Sequence, residues 1–286
     1  MSAPSALACP DSLKGVLDAG AAAAALAEGF AAAGVVCRQL PLADGGEGTA
    51  EVLAARLPPG AVVVEAASVV PFGSGLRSSR AFGELLASVQ AERLYVGLGG
   101  TSNMDAGAGL LEVLAELPAP TTVLCDVGTT LYDAPRVFGP QKGLSQAEVT
   151  ELEARFRADE RLAPFGALPG SGAAGGLGAA LAALGAKLVA GAPAILELAG
   201  FDAASFDLVV TGEGRVDATT QAGKIAFEVA RRCAAAAVPC VVFGGLVHEP
   251  LPGAETVALS GDPARAHGDL VALGRRLGLR LLDPSR

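Results

Sequence analysis

Lysine is scarce in this chain of 286 residues, with four against seventeen arginines. Histidine is scarcer still: only His248 and His267 occur, both in late, loop-like contexts that read as surface positions. With so few histidines, and with no GxSxG nucleophile elbow, a hydrolytic Ser–His–acid triad is a weak reading. A zinc site is disfavoured for the same reason, because Cys9, Cys37, Cys125, Cys233 and Cys240 are scattered, odd in number and without a CxxC. Cysteines of this kind fit reduced, mostly buried thiols in a cytoplasmic protein. Basic runs and basic–aromatic patches are missing, and the net charge is −9, which argues against a nucleic-acid partner. The Walker P-loop is absent. The GxGxxG spacing is absent too: Gly212-Glu213-Gly214 lacks the third glycine and carries a carboxylate where a pyrophosphate would lie, so a nicotinamide dehydrogenase is disfavoured. No stretch reads as a membrane span. The longest uncharged segment, 162–186, holds Pro164, Pro169 and seven glycines with few large apolar side chains. No basic n-region with a long apolar run opens the chain, so no signal peptide is expected.

The lysines that are present stand in telling places. Lys14 lies in PDSLKG, Lys142 in FGPQKG and Lys224 in QAGK, each beside a glycine. Lysine is a compact point charge that serves phosphate without fork geometry. Flanking glycine lets backbone approach a ligand closely. Chance survival in an arginine-rich composition is the plain alternative.

The length suits one large or two modest domains with a real core. Hydrophobic periodicity predicts a β–α–β start: a strand near 6–9, a helix over about 17–33 with Leu26 and Phe30 at i, i+4, and a strand at 35–40. The C-terminal part repeats the rhythm, with strands at 206–211, 238–243 and 255–260 around a helix at about 223–237. Between them come strands at 61–65, 93–98 and 121–127 and a helix at about 106–117. Ser145-Gln146-Ala147-Glu148 is a capping box that opens a charged helix to about 161. Continuous apolar runs bounded by glycine and alternating with helices imply an α/β fold with a parallel sheet covered on both faces.

Ligands of open α/β sheets collect at the carboxyl ends of strands. Five polar, glycine-bearing segments are predicted to begin there: residues 11–15, 42–49, 99–105, 126 and 211–217. Any one alone reads as an ordinary βα turn. Together they predict a cleft with hard oxygen ligands for Mg²⁺ and amide donors for phosphate. Phosphoryl transfer needs metal carboxylates, cationic clamps and a carboxylate for the acceptor hydroxyl. Asp44, Glu47, Asp105, Asp126, Glu213 and Asp217 supply the acids, and Lys14, Lys142, Arg215 and Lys224 the cations. The residues alone do not sort those acids into metal ligand and base.

PDSLKG, PLADGGEGT, CDV, VFGPQKG, PGSGAAGGLG and DLVVTGEGRVDATTQAGK follow one another in an order that resembles the class I glycerate kinases, from Pro10 to about Gly245. The ordered pair GPQKG and TGEGRVD is the most specific part. The resemblance implies phosphorylation of D-glycerate with ATP and Mg²⁺, usually at the 2-hydroxyl. It also implies two α/β domains with the site between them: a discontinuous flavodoxin/Rossmann-like domain at 1–60 and 195–286, and an inserted α/β domain at 61–194. By the same resemblance Lys14, Asp44, Asp105, Asp126 and Glu213 are the catalytic candidates, with Asp44 and Glu213 toward metal. Ser12, Gly45, Gly46, Glu47, Gln141, Lys142, Arg215, Asp217 and Lys224 are the substrate- and phosphate-binding candidates. Glycerate and ATP are the expected partners, without nucleic acid or membrane, and a homo-oligomer is compatible with the sequence. The chain departs from the family pattern at GGTSNMDAG, where Met104 precedes Asp105, in a shorter loop after CDV, and in a compressed segment between Thr49 and Gly99. These departures keep a kinase for a related hydroxy acid, and a silent binding relative, in view.

Overall fold

The computed structural model describes residues 3–283. In chain order the strands are β1 Ser5–Ala8, β2 Val36–Gln39, β3 Ala61–Glu65, β4 Arg93–Gly97, β5 Thr121–Cys125, β6 Lys187–Ala190, β7 Leu208–Val216, β8 Cys240–Val247 and β9 Glu255–Ala258. The helices are α1 Ala19–Ala32, α2 Thr49–Leu53, α3 Arg80–Ala87, α4 Ala108–Val113, α5 Ala134–Phe138, α6 Gln146–Ala158, α7 Ala173–Ala183, α8 Gly191–Leu198, α9 Ile225–Ala235 and α10 Ala266–Leu282. The chain divides into two compact units, Met1–Ala43 with Ile195–Arg286, and Asp44–Ala194.

The first unit carries a sheet of order β2-β1-β7-β8-β9, parallel throughout. Counted within the unit this is the flavodoxin-like order 2-1-3-4-5. The three inner strands, β1, β7 and β8, bury most of their residues in unbroken runs, so their apolar stretches are continuous rather than alternating. Helix α1 begins where Asp18 Oδ1 accepts from Ala21 N–H at 2.6 Å. It packs through Leu26 and Phe30 against Leu270, Leu273 and Leu277 of α10. The two helices cross at glycines: a Cβ on Gly29 would lie 2.1 Å from Val271 O, and one on Gly274 would lie 2.3 Å from Leu26 O.

The second unit has a four-stranded parallel sheet in chain order, β3-β4-β5-β6. One apolar cluster joins Val64, Val96 and Val123 to Phe82, Leu110 and Leu177, and a second gathers Met104, Leu131, Phe156 and Leu162. The capping box of α6 forms in full, with Ser145 Oγ accepting from Glu148 N–H and the Glu148 carboxylate accepting from Ser145 N–H.

Two local expectations differ from the structure. The TGEGRV segment is strand, not a loop after one. It continues β7, with Glu213 opposite Gly244, Arg215 opposite Leu246 and Val216 opposite Val247 of β8. Cross-strand pairing over both glycine-rich stretches overrides their turn propensity. The helix expected over 106–117 shrinks to α4. Ala106 (φ 54) and Gly107 (φ 75) are left-handed before it, and Leu114 leaves it in extended geometry. Among the described residues no helix is long and apolar enough to cross a membrane.

Candidate functional site

In the first unit the strand order reverses between β1 and β7, the switch point at which ligands of such sheets bind. Backbone bonds carry the pairing past β1, from Cys9 N–H to Val210 O at 2.8 Å and from Asp11 N–H to Gly212 O at 2.9 Å. Thr211 Oγ1 donates to Cys9 O at 2.8 Å. The PDSLKG turn is thereby seated beside TGEG, with Lys14 N next to Gly214. Asp11 is buried and its Oδ1 accepts from Ser12 N–H at 2.6 Å, while Ser12 is half-buried and Lys14 exposed.

Glu213 is buried, and both of its oxygens are engaged: Thr220 Oγ1 donates at 2.8 Å and Lys224 Nζ at 2.7 Å. Pairing of this kind makes a buried carboxylate tolerable. Arg215 is exposed. Asp217 accepts from Thr219 N–H and Oγ1 at 2.8 and 2.6 Å. Those Thr219 bonds, with Lys224 and Arg215 nearby, hold its carboxyl below the usual range. The unit thus brings Ser12, Lys14, Glu213, Arg215, Asp217 and Lys224 to one end of its sheet.

In the second unit the DGGEG loop lies over the carboxyl ends of β4 and β5. Gly99 N–H donates to Gly45 O at 3.2 Å. Gly45 is left-handed (φ 98), and a Cβ there would stand 2.8 Å from Leu124 O, so both the conformation and the close approach require glycine. Asp44 Oδ1 accepts from Gly46 N–H at 3.1 Å, and Glu47 is exposed. Gly99 lies against Gly46 and the Asp126 carboxylate. Asp44, Gly45, Gly46 and Asp126 are therefore neighbours.

Asp126 also lines a cavity of about 250 Å³ with Thr101, Gln141, Lys142 and Ala174. Two residues that line it, Lys142 and Ala174, both bond to Asn103. Lys142 Nζ donates to Asn103 O at 2.8 Å, and burial pushes its pKa down to about 8 against the opposing pull of Asp126 and Asp105. The Asn103 side chain is fully buried. Its amide N–H donates to Ala174 O at 2.6 Å, yet its Oδ1 has no hydrogen-bond partner. Ala174 is left-handed (φ 50, ψ 46) without being glycine and leads into left-handed Gly175 and Gly176. Strained backbone, an orphaned buried acceptor and a desolvated ammonium concentrate at functional sites.

Asp105 takes a different part. Its carboxylate accepts from Ser79 N–H and Oγ and from the Gly107 and Gly109 amides, at 2.7 to 3.1 Å, and so fastens the start of α4 to the start of α3. Sequence reasoning did not single out Ser79, Thr101, Asn103 as a buried amide, or Ala174. The only sequence signal was the glycine run PGSGAAGGLG, which marks special backbone without saying where it points.

Among the described residues no three His, Cys, Asp or Glu side chains converge on a metal position. Mg²⁺ is commonly held by one or two carboxylates with phosphate oxygens and water, so Asp44 and Asp126 suit it as hard donors. Glu213 suits it less, since Thr220 and Lys224 occupy its oxygens.

The model of the glycerate kinase family matches residues 6–76 and 116–260. The chain belongs to the glycerate kinase family. It is 35% identical over 299 residues to an uncharacterised protein of Mycobacterium bovis, covering 84% of this chain and 78% of that one. The glycerate kinase of Bacillus subtilis is 29% identical, with 83% and 84% covered, and the glycerate 2-kinase of Escherichia coli is 29% identical, with 77% and 80% covered. The crystal structure assigned as glycerate kinase 2 of Salmonella typhimurium LT2 superposes with a TM-score of 0.79 at 26% identity, covering 99% of this chain and all of that one. Every phosphate-type motif of this glycerate kinase family member falls within the matched stretches. The interval 77–115, which carries GGTSNMDAG, lies outside them.

Proposed function

We propose that this member of the glycerate kinase family transfers the terminal phosphoryl group of ATP, with Mg²⁺, to the 2-hydroxyl of D-glycerate. The observation that carries this reading is the Lys142 cavity. It holds a half-buried cation with a carboxylate in the same lining, which suits a small anion such as a hydroxy acid or a phosphoryl group. The name of the Escherichia coli relative, glycerate 2-kinase, supports the 2-position.

Lys142, still mostly protonated at pH 7 with a pKa of about 8, binds the anion that enters. Asp126, in the same cavity, orients the acceptor hydroxyl and receives its proton. Asp44 would hold Mg²⁺, which when bound would neutralise charge on the phosphate oxygens. Within the first unit, taken by itself, Ser12, Lys14 and Lys224 are donors of the kind phosphate takes, and Glu213 fixes the ammonium of Lys224. The free cysteines, four of them buried, accord with a reducing, cytoplasmic setting.

ADP release with D-glycerate, ATP and Mg²⁺, against a control without glycerate, tests the reading, and ³¹P NMR of the product reports the position. Asp126→Asn is expected to lower turnover by about 100-fold or more, and Lys14→Ala by orders of magnitude, with far-UV dichroism unchanged. Wild-type turnover in both variants overturns the residue roles, and no glycerate-dependent ADP overturns the reaction. A related hydroxy acid is the second reading, favoured by Met104 and the unmatched interval 77–115. A substrate panel in which glycerate is clearly best removes it.

A further inference from the structure

Phe72 is the odd member of its residue type. Of the ten phenylalanines it alone is exposed, at 56%, while the other nine are buried or half-buried. Apolar side chains scattered over a surface need no explanation, but this one is placed: it lines the Lys142 cavity while facing solvent, and so stands at the mouth.

The backbone holds it there. Phe72 N–H donates to Gly100 O at 2.8 Å, and Pro71 pairs with Thr101 in an antiparallel bridge. Ser74 N–H closes a turn onto Pro71 O at 3.2 Å around left-handed Gly73 (φ 81), and Ser74 Oγ lies 2.9 Å from Ser102 Oγ. The strap 71–74 therefore rides on segment 100–103, which also puts Thr101 into the cavity and fixes Lys142 through Asn103 O. None of these bonds uses the Phe72 side chain. The ring is carried as a fixed wall and can be exchanged without loosening the strap.

Charges inside the wall are few. Among the described residues that line the cavity, Lys142 is the single cation and Asp126 the single carboxylate. Arg77, whose charge reaches Lys142, lines the neighbouring cavity instead, amid Asp105, Glu112, Glu148 and Glu151. One entering carboxylate finds Lys142. A second would meet the Phe72 ring, the apolar Val127 and Phe138, and the like charge of Asp126. An unpaired anion held against apolar surface is strongly disfavoured, and the face of an aromatic ring is itself negative.

We propose that Phe72 is a specificity-determining residue that restricts the Lys142 cavity to hydroxy acids with one carboxylate and turns away those with two. This rests on the hydroxy-acid reading of the cavity given above, and adds the class of acid that is refused and the residue that refuses it.

Glycerate and hydroxymalonate are a matched pair for the test: both have three carbons and a 2-hydroxyl, and the second replaces the terminal CH2OH by a carboxylate. Their affinities are measured by calorimetry in the full chain at pH 7, beside ADP release with ATP and Mg²⁺. The wild type is expected to favour glycerate by about 30-fold or more. Phe72→Arg brings a second cation to the mouth and is expected to shrink that preference by about tenfold or more, through tighter hydroxymalonate. Phe72→Leu keeps an apolar wall and is expected to hold the preference within about threefold, a split that lost structure would not give. Leu76→Arg adds the same charge at an exposed position outside the lining and is expected to leave the preference unchanged. A wild type that binds both acids equally overturns the proposal, as does a preference that survives Phe72→Arg or shifts as much with Leu76→Arg. If that chain still releases ADP with glycerate, the reaction stands and only the role of Phe72 falls. Selective glycerate binding that Phe72→Arg relaxes, in a chain that releases no ADP, keeps the wall and removes the reaction. A chain that binds neither acid overturns both.

Discussion

Lys142 makes its own folding energetics measurable. A lysine free in an unfolded chain titrates at 10.5, and burial brings this one to about 8. Below pH 8 both states hold the proton, and the full penalty of a buried ammonium is present. Between pH 8 and 10.5 the unfolded state binds more protons than the folded one, so stability rises with pH. With about 1.4 kcal/mol for each pH unit of difference, the whole effect is about 3 kcal/mol, of which about 2 kcal/mol develops between pH 7 and 9.5. Lys142→Met removes the charge and keeps the length. It leaves Asn103 O without its donor, which shifts stability by an amount independent of pH. The quantity to measure is therefore the difference in urea unfolding free energy, wild type minus Lys142→Met, at several pH values. The chain has no tryptophan, and Tyr95 and Tyr132 both lie in the Asp44–Ala194 unit, so tyrosine fluorescence reports the unfolding of that unit. Titrations elsewhere cancel in the difference. A rise of about 2 kcal/mol from pH 7 to 9.5 is expected, and a flat line would show that the ammonium is solvated and would refute the reasoning.

An anion that binds beside Lys142 restores its proton. Calorimetry of glycerate binding in two buffers of different ionisation enthalpy should therefore show proton uptake that approaches one near pH 9 and vanishes near pH 6.5; proton release at pH 9 would contradict this. At the helix crossing, Gly29→Ala forces a methyl into the Val271 carbonyl and the Arg275 amide. Overpacking of about 3 kcal/mol outweighs about 1 kcal/mol of gained helix propensity, and thermal unfolding should register a net loss of roughly 2 kcal/mol. A higher Tm would show that the helices can part freely.

The strands were legible because their apolar runs are continuous, as in 206–211 extended into β7 and in 240–243 at the start of β8. The α6 boundary was legible because Ser145 and Glu148 write a capping box in four residues. Helix α10 hides behind Gly268, Gly274 and Gly278, which look like breaks until the close approach of α1 explains Gly274. The lysine–glycine motifs and the acids at strand ends were visible as chemistry. Their grouping was not: Asp105 and Asp126 sit at similar strand ends in sequence, yet one is absorbed by four local donors and the other faces a cavity. The orphaned Asn103 oxygen and the left-handed Ala174 exist only once residues 71 positions apart are brought into contact.

The pairing of β1 with β7 bears on how the protein is made. Ala6 must wait for Leu208, its partner in the sheet, and Leu26 on α1 must wait for the leucines of α10. At ribosomal speeds of about 5–20 residues per second, the N-terminal strand and helix spend roughly 10–40 s with only β2 beside them and the rest of the sheet still unmade. The Asp44–Ala194 stretch, by contrast, emerges as one contiguous piece with all four strands of its own sheet. During synthesis the middle of the chain can close first, and the apolar face of α1 is the surface a chaperone would find uncovered until the last helix arrives.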